Sequence, residues 1–341
     1  FDIENEKFNL FTPSEHLLLE KNNTQLDLES SCPNISKLLK NLIPRADERE
    51  RFINWLAGIV QTREKQLTAW VFKGEQGAGK NVLREHVLQP LFGKKQVIQV
   101  EDQMLESEFN GYLKNVMLIA FNEVANKDNN SRNSVKSKIK AIITDSEIWI
   151  NEKQIRPFPI ENFVNCIFFS NEGVPVLIED GDRRFNVVIT GKPLRELGWF
   201  KNNPDEFIAS LSSEVPLFAQ YLTNYKYDSI KAKTALMNDD KAALIKIGMN
   251  RFQEFAKYLK DGDIEWFNEN QSSDVFGPAV HLTPADLNGK ILKDITLKLF
   301  NSIHPKNPET KTSLTVKLEI YGIKAERLCD SNGKRQQYYK W

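Results

Sequence analysis

The sequence is poor in cysteine and has no long apolar run. Its three cysteines are far apart and form no C-x-x-C pair, so it supports neither a disulfide framework nor a structural zinc site and favours an intracellular setting. The longest clear apolar run, Val116 to Phe121, is far shorter than the ~18 residues of a transmembrane helix. We therefore expect neither a cystine-rich secreted domain nor a helical membrane protein.

Net charge is absent as well, because 46 Lys and Arg balance 46 Asp and Glu. This balance argues against a protein that its overall charge steers to nucleic acid. Residues 290–341, however, hold eleven Lys and Arg against five Asp and Glu, so basic charge is concentrated there. The 341 residues suit a globular protein of two or three domains. Because the chain begins at Phe1, we expect a preceding portion to be missing.

The hydrophobic pattern predicts an α/β domain in the first two thirds of the chain. Residues 1–46 are polar and are interpreted as a linker or N-terminal remnant. Across residues 47–230, short apolar runs alternate with helical patterns, which predicts helices around a parallel sheet of five or more strands. Asp47 and Glu50 suit a capping box at the start of the first helix of this domain.

The C-terminal region, residues 235–341, is predicted to be helical with a final hairpin. We expect one long helix over 239–259, a second that begins at Thr283 and a third that Gly322 ends. Asn332-Gly333 suits a type I′ turn between two last strands. This order predicts an α+β, winged-helix-like domain that binds DNA or, alternatively, a protein.

A glycine-rich loop carries the strongest functional signal. It fits G-x-x-x-x-G-K, follows a predicted strand and opens a predicted helix. Its backbone N–H groups can converge on phosphate oxygens, while Lys80 bridges the β- and γ-phosphates of a nucleotide. The alternative is a glycine-rich surface turn. The predicted nucleotide-binding residues are Gly74, Glu75, Gln76, Gly77, Ala78, Gly79, Lys80 and Asn81.

The cofactors predicted from this loop are ATP and Mg²⁺, and the metal ligands are unusual. Asn81 stands where a Ser or Thr hydroxyl ordinarily binds Mg²⁺, and Asn122 stands where an Asp is usual. Amide oxygens can ligate a hard cation, so both are weak candidates for the metal. Glu123, which follows the buried strand, is predicted to polarise the attacking water; the alternative is a glutamate that caps a neighbouring helix.

Further candidates lie beside two later strands. Asn171 follows an apolar strand and could place its amide between nucleotide and water. Arg183 and Arg184 precede the next strand, where an arginine can reach the nucleotide of a neighbouring subunit and stabilise developing negative charge. The alternative is a pair of surface arginines in local salt bridges.

Basic residues suggest a surface for DNA. Three cations recur at i, i+4 and i+8 in a predicted helix, a like-charge row that an anion such as phosphate would stabilise; a solvated basic face is the alternative. A predicted turn over 151–154 presents another cation at its tip, and the C-terminal hairpin adds more, with Lys311 and Lys317 beside it. The predicted DNA-binding residues are Arg132, Lys136, Lys140, Lys153, Arg156, Lys334 and Arg335.

The order of these motifs resembles superfamily 3 helicases, especially the helicase part of phage, plasmid and poxvirus primase-helicases and primase-polymerases. The resemblance covers roughly residues 47–200. It implies a P-loop AAA+ three-layer core, a hexameric ring around DNA, a hairpin that grips DNA, Asn171 as sensor and Arg183 or Arg184 as arginine finger. It also implies an upstream primase-polymerase domain and the cytoplasm of a microbial host. The motifs are GEQGAGKN, AFNEV, KIKAIITDSEIWINEKQ, FFSN and GDRRF.

We therefore expect a DNA-dependent ATPase that translocates on single-stranded DNA and unwinds fork DNA. A different hypothesis is a catalytically weakened nucleotide- and DNA-binding module that supports oligomerisation, because Asn81 and Asn122 replace the usual metal-ligand types. A small-molecule kinase is disfavoured because no arginine-rich lid is evident.

Overall fold

The structure is a computed structural model in which the chain divides into two compact units, Phe1–Ile247 (unit 1) and Gly248–Trp341 (unit 2). In the described ranges, no helix combines the length and the apolar character that crossing a bilayer requires. The side chains of residues 129–134 are not described. The structure describes residues 11–122, 129–171, 178–179, 181–272, 278–284, 286–329 and 333–341.

Unit 1 is built on a five-stranded parallel sheet of order β2-β3-β6-β1-β7, and β4 and β5 form a separate antiparallel hairpin. The core strands are nearly continuous apolar runs because helices cover both faces of a parallel sheet. The predicted parallel α/β sheet is confirmed. The strands are β1 (Ala69–Lys73), β2 (Val97–Val100), β3 (Leu118–Asn122), β4 (Glu147–Glu152), β5 (Ile155–Glu161), β6 (Asn165–Ser170) and β7 (Phe185–Ile189).

Aromatic packing fixes helix α3 (Ala46–Thr62) on this sheet. The Phe52 ring of α3 lies 5.1 Å from that of Trp70 and 5.4 Å from that of Phe72, both on β1. A π-helical turn, Arg84–Leu88, joins α4 to α5. The helices of unit 1 are α1 (Leu28–Ser31), α2 (Pro33–Leu42), α3 (Ala46–Thr62), α4 (Lys80–Leu83), α5 (Gln89–Phe92), α6 (Asp102–Glu106), α7 (Asn129–Thr144), α8 (Gly198–Lys201), α9 (Pro204–Asn224), α10 (Ser229–Lys233) and α11 (Asp239–Gly248).

The segment interpreted as a linker differs from that expectation. Helix α2 buries Ile35, Leu38, Leu39 and Leu42, which recur at helical spacing and join the core of unit 1. The buried Glu214 carboxylate of α9 accepts the N–H groups of Asn34 at 3.0 Å and Ile35 at 2.8 Å. Helix α2 is therefore held at its N-terminus by a residue distant in sequence.

Two local expectations at the edges of unit 1 are corrected. The capping box of Asp47 and Glu50 is not formed, because α3 begins at Ala46 with Arg45 as its N-cap and without a side-chain cap bond. The unit extends past the expected boundary near 230–235. Asp240 accepts the N–H of Ile189 on β7, which ties α11 to the sheet.

Unit 2 combines helices with a three-stranded antiparallel sheet of order β8-β10-β9. The two hairpin strands match the prediction, and Asn332 of the predicted turn lies outside the described residues. The strand β8, which pairs with β10, was not predicted. The elements are α12 (Arg251–Asp261), α13 (Ile264–Glu269), β8 (Lys290–Leu292), α14 (Lys293–Ile303), α15 (Lys311–Glu319), β9 (Lys324–Cys329) and β10 (Arg335–Lys340).

Two helices predicted near or within unit 2 are corrected. The long helix over 239–259 is two helices, because the Asn250 side chain caps α12 by accepting the N–H groups of Phe252 and Gln253. Among the described residues around Thr283, no helix begins. The N–H and hydroxyl of Thr283 donate to the Asp286 carboxylate in a local turn, and the next helix begins at Lys293.

The contacts of Glu214 generate a stability prediction. Glu214→Ala leaves the buried N–H of Ile35 without its acceptor, so we expect the free energy of unfolding to fall by about 1–3 kcal/mol. Urea titrations followed by tryptophan fluorescence measure this. Glu196→Ala, at an exposed position, is the matched control and should change stability little. Equal stability of the two variants would contradict the role given to Glu214.

Candidate functional site

The glycine-rich loop lies between the end of β1 at Lys73 and the start of α4 at Lys80. Gly77 and Gly79 have φ values of 88° and 106°, in the left-handed region that favours glycine. A Cβ atom on Gly79 would lie 2.7 Å from Cδ1 of Leu38. The positive φ favours glycine at position 79, and a side chain there would also displace the Leu38 methyl group.

The Lys80 ammonium is the centre of the candidate site. Its side chain is buried, with 8% exposure. Nζ donates to the carbonyl oxygens of Gly74 at 2.7 Å, Glu75 at 3.1 Å and Ser170 at 3.2 Å, and to Oδ1 of Asn171 at 2.6 Å. Because β1 and β6 are adjacent and parallel, their carboxyl ends meet at one edge of the sheet. The structure thus brings Lys80 and Asn171 together.

Sequence reasoning missed Asn41, which supports the loop from α2. Its side-chain Nδ2 donates to the carbonyl oxygens of Ala78 and Lys192, both at 2.9 Å. Its backbone carbonyl accepts the N–H of Gly191 at 2.7 Å. The N–H of Leu194 donates to Gly77 O at 2.8 Å. The available signal was the helical spacing of apolar residues over 35–42, but no motif pointed to an asparagine there.

The predicted metal and base positions are only partly described. Asn122 ends β3 and is half-buried, while Asn81 is exposed at the start of α4. Strand β6 lies between β1 and β3, so Asn171 follows the strand between those of Lys80 and Asn122. Glu123 lies outside the described residues. Within the described ranges, no three or more His, Cys, Asp and Glu residues cluster as a metal site would require.

The two arginines before β7 differ in their surroundings. Arg184 is held locally, because its Nη1 lies 3.1 Å from Oδ2 of Asp182 and its N–H donates to Oδ1 of the same residue. The buried Lys241 donates to the backbone carbonyl of Asp182. Arg183 is exposed. Of the two predicted arginine fingers, Arg183 is the one presented to solvent.

The basic row on α7 has an intramolecular anion. The Glu179 carboxylate accepts hydrogen bonds from Lys136 and, at 2.7 Å, from Lys140. These hydrogen bonds lower the pKa of Glu179 to about 2. The side chain of Arg132 lies outside the described residues. A carboxylate thus occupies the position opposite this row where a DNA phosphate was expected.

The β4–β5 hairpin places two cations at an exposed turn. Strand β4 extends to Glu152, so the turn consists of Lys153 and Gln154, and Gln154 has φ 65°. Lys153 and Arg156 are exposed, and Nζ of Lys153 lies 5.6 Å from the ring centroid of Phe109. An ion pair of 2.8 Å between Lys114 and Glu152 braces the strand that precedes the turn.

The cations beside α15 fall into two classes. Lys311 pairs with Asp294 at 2.5 Å and Lys317 with Glu309 at 2.7 Å, so carboxylates of the same unit neutralise both. Lys334 and Arg335 are exposed at the start of β10. The two helix cations predicted to flank a DNA surface are therefore paired with carboxylates, and the two hairpin cations are exposed.

Comparisons with known proteins relate this chain to a family of unknown function and to a phage DNA primase-polymerase. Residues 72–184 match DUF5906, a family of unknown function. The chain is 38% identical over 237 residues to the DNA primase-polymerase of Nitratiruptor phage NrS-1, across 69% of this chain and 32% of that protein. It thus spans about a third of that relative.

Solved structures give the same relationship over nearly the whole chain. The apo structure of the NrS-1 C-terminal region has a TM-score of 0.81 at 30% identity, covering 97% of this chain and 79% of that one. An A form apo structure of the same region has a TM-score of 0.78 at 29% identity, with the same coverage.

The pairing of Glu179 generates a pH prediction. Its pKa lies at about 2 when folded and near the ordinary 4.5 when unfolded, so the stabilisation is complete above pH 4.5 and is lost as the pH falls towards 2. We expect Glu179→Gln to reduce the pH dependence of the unfolding midpoint in this window. Thermal unfolding at stepped pH measures it, with the exposed Glu147→Gln as control. Identical pH profiles for both variants would contradict the pairing.

Proposed function

This chain belongs to the same family as the C-terminal region of the NrS-1 phage primase-polymerase, and from that premise we propose that it is the ATP-driven, DNA-translocating module of a replication protein. The contact between Lys80 and Asn171 at the carboxyl edge of the sheet is the observation that carries the proposal. It joins a phosphate-binding lysine to a polar residue on the next strand, as a γ-phosphate sensor requires.

The residues fit a nucleoside triphosphate. The loop turns through left-handed glycines into a helical start, and Lys80 is positioned beneath it by carbonyl oxygens. In the proposed site, Lys80 and the loop N–H groups bind the phosphates, and the side-chain amide of Asn171 lies beside the terminal phosphate. We propose that Glu123 orients the attacking water and that Arg183 completes the site of a neighbouring subunit.

The metal belongs to the same proposal. Mg²⁺ usually keeps several waters and binds substrate phosphates together with one or two protein oxygens. Asn81 and Asn122 would supply amide oxygens at the strand and helix ends. When bound, the ion would neutralise phosphate charge. A shell of neutral ligands predicts weaker protein coordination than carboxylates give.

The fold supports an AAA+ assignment and a DNA-handling C-terminal unit. The strand order places β6 between the loop strand and the strand of Asn122, as in the AAA+ three-layer core that the sequence motifs resemble. From α13 onward, unit 2 follows the order helix, strand, two helices and two strands, which is that of a winged helix, and α12 precedes this set. We propose a hexameric ring on single-stranded and fork DNA, fused to an upstream primase-polymerase domain.

A second candidate function is a nucleotide-dependent assembly module without effective hydrolysis. The neutral Asn81 and Asn122 favour it, since both replace stronger metal-ligand types. ATP turnover with and without single-stranded DNA separates the two functions. DNA-stimulated turnover supports the translocating module, whereas nucleotide binding without turnover supports the assembly module.

The proposed nucleotide site predicts the effect of removing one ammonium group. Lys80→Ala should abolish ATP binding or turnover, because the triphosphate loses its principal cationic partner. Calorimetric titration with ATP and phosphate release measure the two effects. Lys95→Ala, an exposed lysine outside the loop, is the matched control and should retain both. Wild-type affinity and turnover in Lys80→Ala would overturn the assignment.

The proposed hairpin contact predicts a change in DNA binding. Lys153→Ala should weaken binding of single-stranded oligonucleotides of different sequence to a similar degree. It should also reduce the slope of log K against log salt concentration by about 0.7, the value for one phosphate contact on a single strand. Fluorescence anisotropy measures both quantities, with the exposed Lys226→Ala as control. An unchanged slope would reject the contact.

A further inference from the structure

Unit 2 carries a row of three lysines on one face of its sheet. In the strand register, Lys340 of β10 pairs with Lys290 of β8 on one side and with Lys324 of β9 on the other. The next register position places Tyr339 beside Ile291, and both are buried in the core of unit 2. Because side chains alternate between faces, the three lysines lie on the outer face, and all three are exposed.

This lysine row is under-neutralised within its own unit. Like charges directly opposite each other on neighbouring strands destabilise a sheet. In the described part of unit 2, the only ion pair recorded for the row joins Lys340 to Glu326 at 3.5 Å, between side chains that are 55% and 41% exposed. One carboxylate thus faces three ammonium groups. Two other lysines of the unit, Lys311 and Lys317, have carboxylate partners at 2.5 and 2.7 Å.

An aromatic ring lies beside the row on the same face. Tyr338 lies two residues before Lys340 on β10 and therefore on the same face as the row. It pairs with Leu292 on β8 and with Glu326 on β9. Its ring is half-buried, and Nζ of Lys290 lies 5.5 Å from the ring centroid. Sites for single-stranded nucleic acid combine cations that track the backbone with aromatic rings on which bases stack.

We propose that the lysine row binds the phosphodiester backbone of single-stranded DNA and that Tyr338 stacks a base of the same strand. Neighbouring strands are about 4.8 Å apart, so the three lysines span about 10 Å and their flexible stems can reach separate phosphates. An acidic peptide would match the charge but would leave the ring without a function. The inference rests on the proposed role in DNA handling and does not require ATP hydrolysis.

The test compares two triple variants of the full chain, without nucleotide. The first is Lys290→Gln with Lys324→Gln and Lys340→Gln. The control is Lys260→Gln with Lys298→Gln and Lys306→Gln, which removes the same charge from exposed positions of unit 2. For oligo-dT measured by anisotropy, we expect the salt slope to fall by about 2 in the first variant only, since each phosphate contact on a single strand contributes about 0.7.

The thermal unfolding midpoint of the lysine-row variant and the DNA affinity of a Tyr338 variant are two further measurements. The lysine-row variant should unfold at the same temperature as wild type or higher, because it removes like-charge repulsion, so weaker binding with an undiminished midpoint is not misfolding. Tyr338→Ala should weaken oligo-dT binding without changing the salt slope, since a ring contributes no counterion release. It should leave binding of inorganic polyphosphate unchanged.

The outcomes that overturn the inference are distinct from those that overturn the proposed function. Equal salt slopes for the two triple variants, with wild-type binding intact, reject the lysine row alone. Displacement of oligo-dT by a polyglutamate peptide of equal charge, together with no effect of Tyr338→Ala, also rejects it and assigns the face to an acidic protein. Absence of oligo-dT binding by the wild-type chain rejects the DNA-handling function itself.

Discussion

The candidate site of unit 1 is organised around the buried ammonium group of Lys80. A buried cation is costly unless oxygen atoms replace the water it loses. The four acceptors of Nζ come from the glycine loop and from the end of β6, segments about ninety residues apart. They meet only because β1 and β6 pair in parallel and in register. The sheet order and the candidate site are thus a single constraint.

The conformation of the loop is set by residues outside it. The Glu214 carboxylate fixes the N-terminus of α2, and Asn41 on the same helix donates to the carbonyl of Ala78 in the loop. The backbone N–H of Leu194, which follows β7, donates to the carbonyl of Gly77. These bonds stiffen the peptide groups whose N–H atoms would face phosphate, and such preorganisation lowers the cost of binding. Helices α2 and α9 therefore shape the site although neither provides a residue that would contact the nucleotide.

The sequence predicted those parts that local patterns determine. The strands β1, β3 and β6 were predicted because strands buried on both faces are continuous apolar runs. The role of Asn41 was missed, since its partners lie 37 and 151 residues away and no spacing encodes them. The same limit applies to α7, where the cation spacing was evident but the neutralising Glu179 is 39 residues from Lys140.

The lysines of this chain show why a net charge of zero does not argue against the proposed DNA surface. Lys136 and Lys140 share one carboxylate and gain little from a phosphate, because an approaching strand must displace Glu179. Lys324, by contrast, is exposed and has no ion pair among the described residues of unit 2, so a phosphate can approach it without displacing a carboxylate. Only such cations release counterions when a strand binds, and that release drives binding. A DNA surface of the kind proposed here would therefore be determined by where carboxylates are absent in three dimensions, and residue counts along the sequence do not show that.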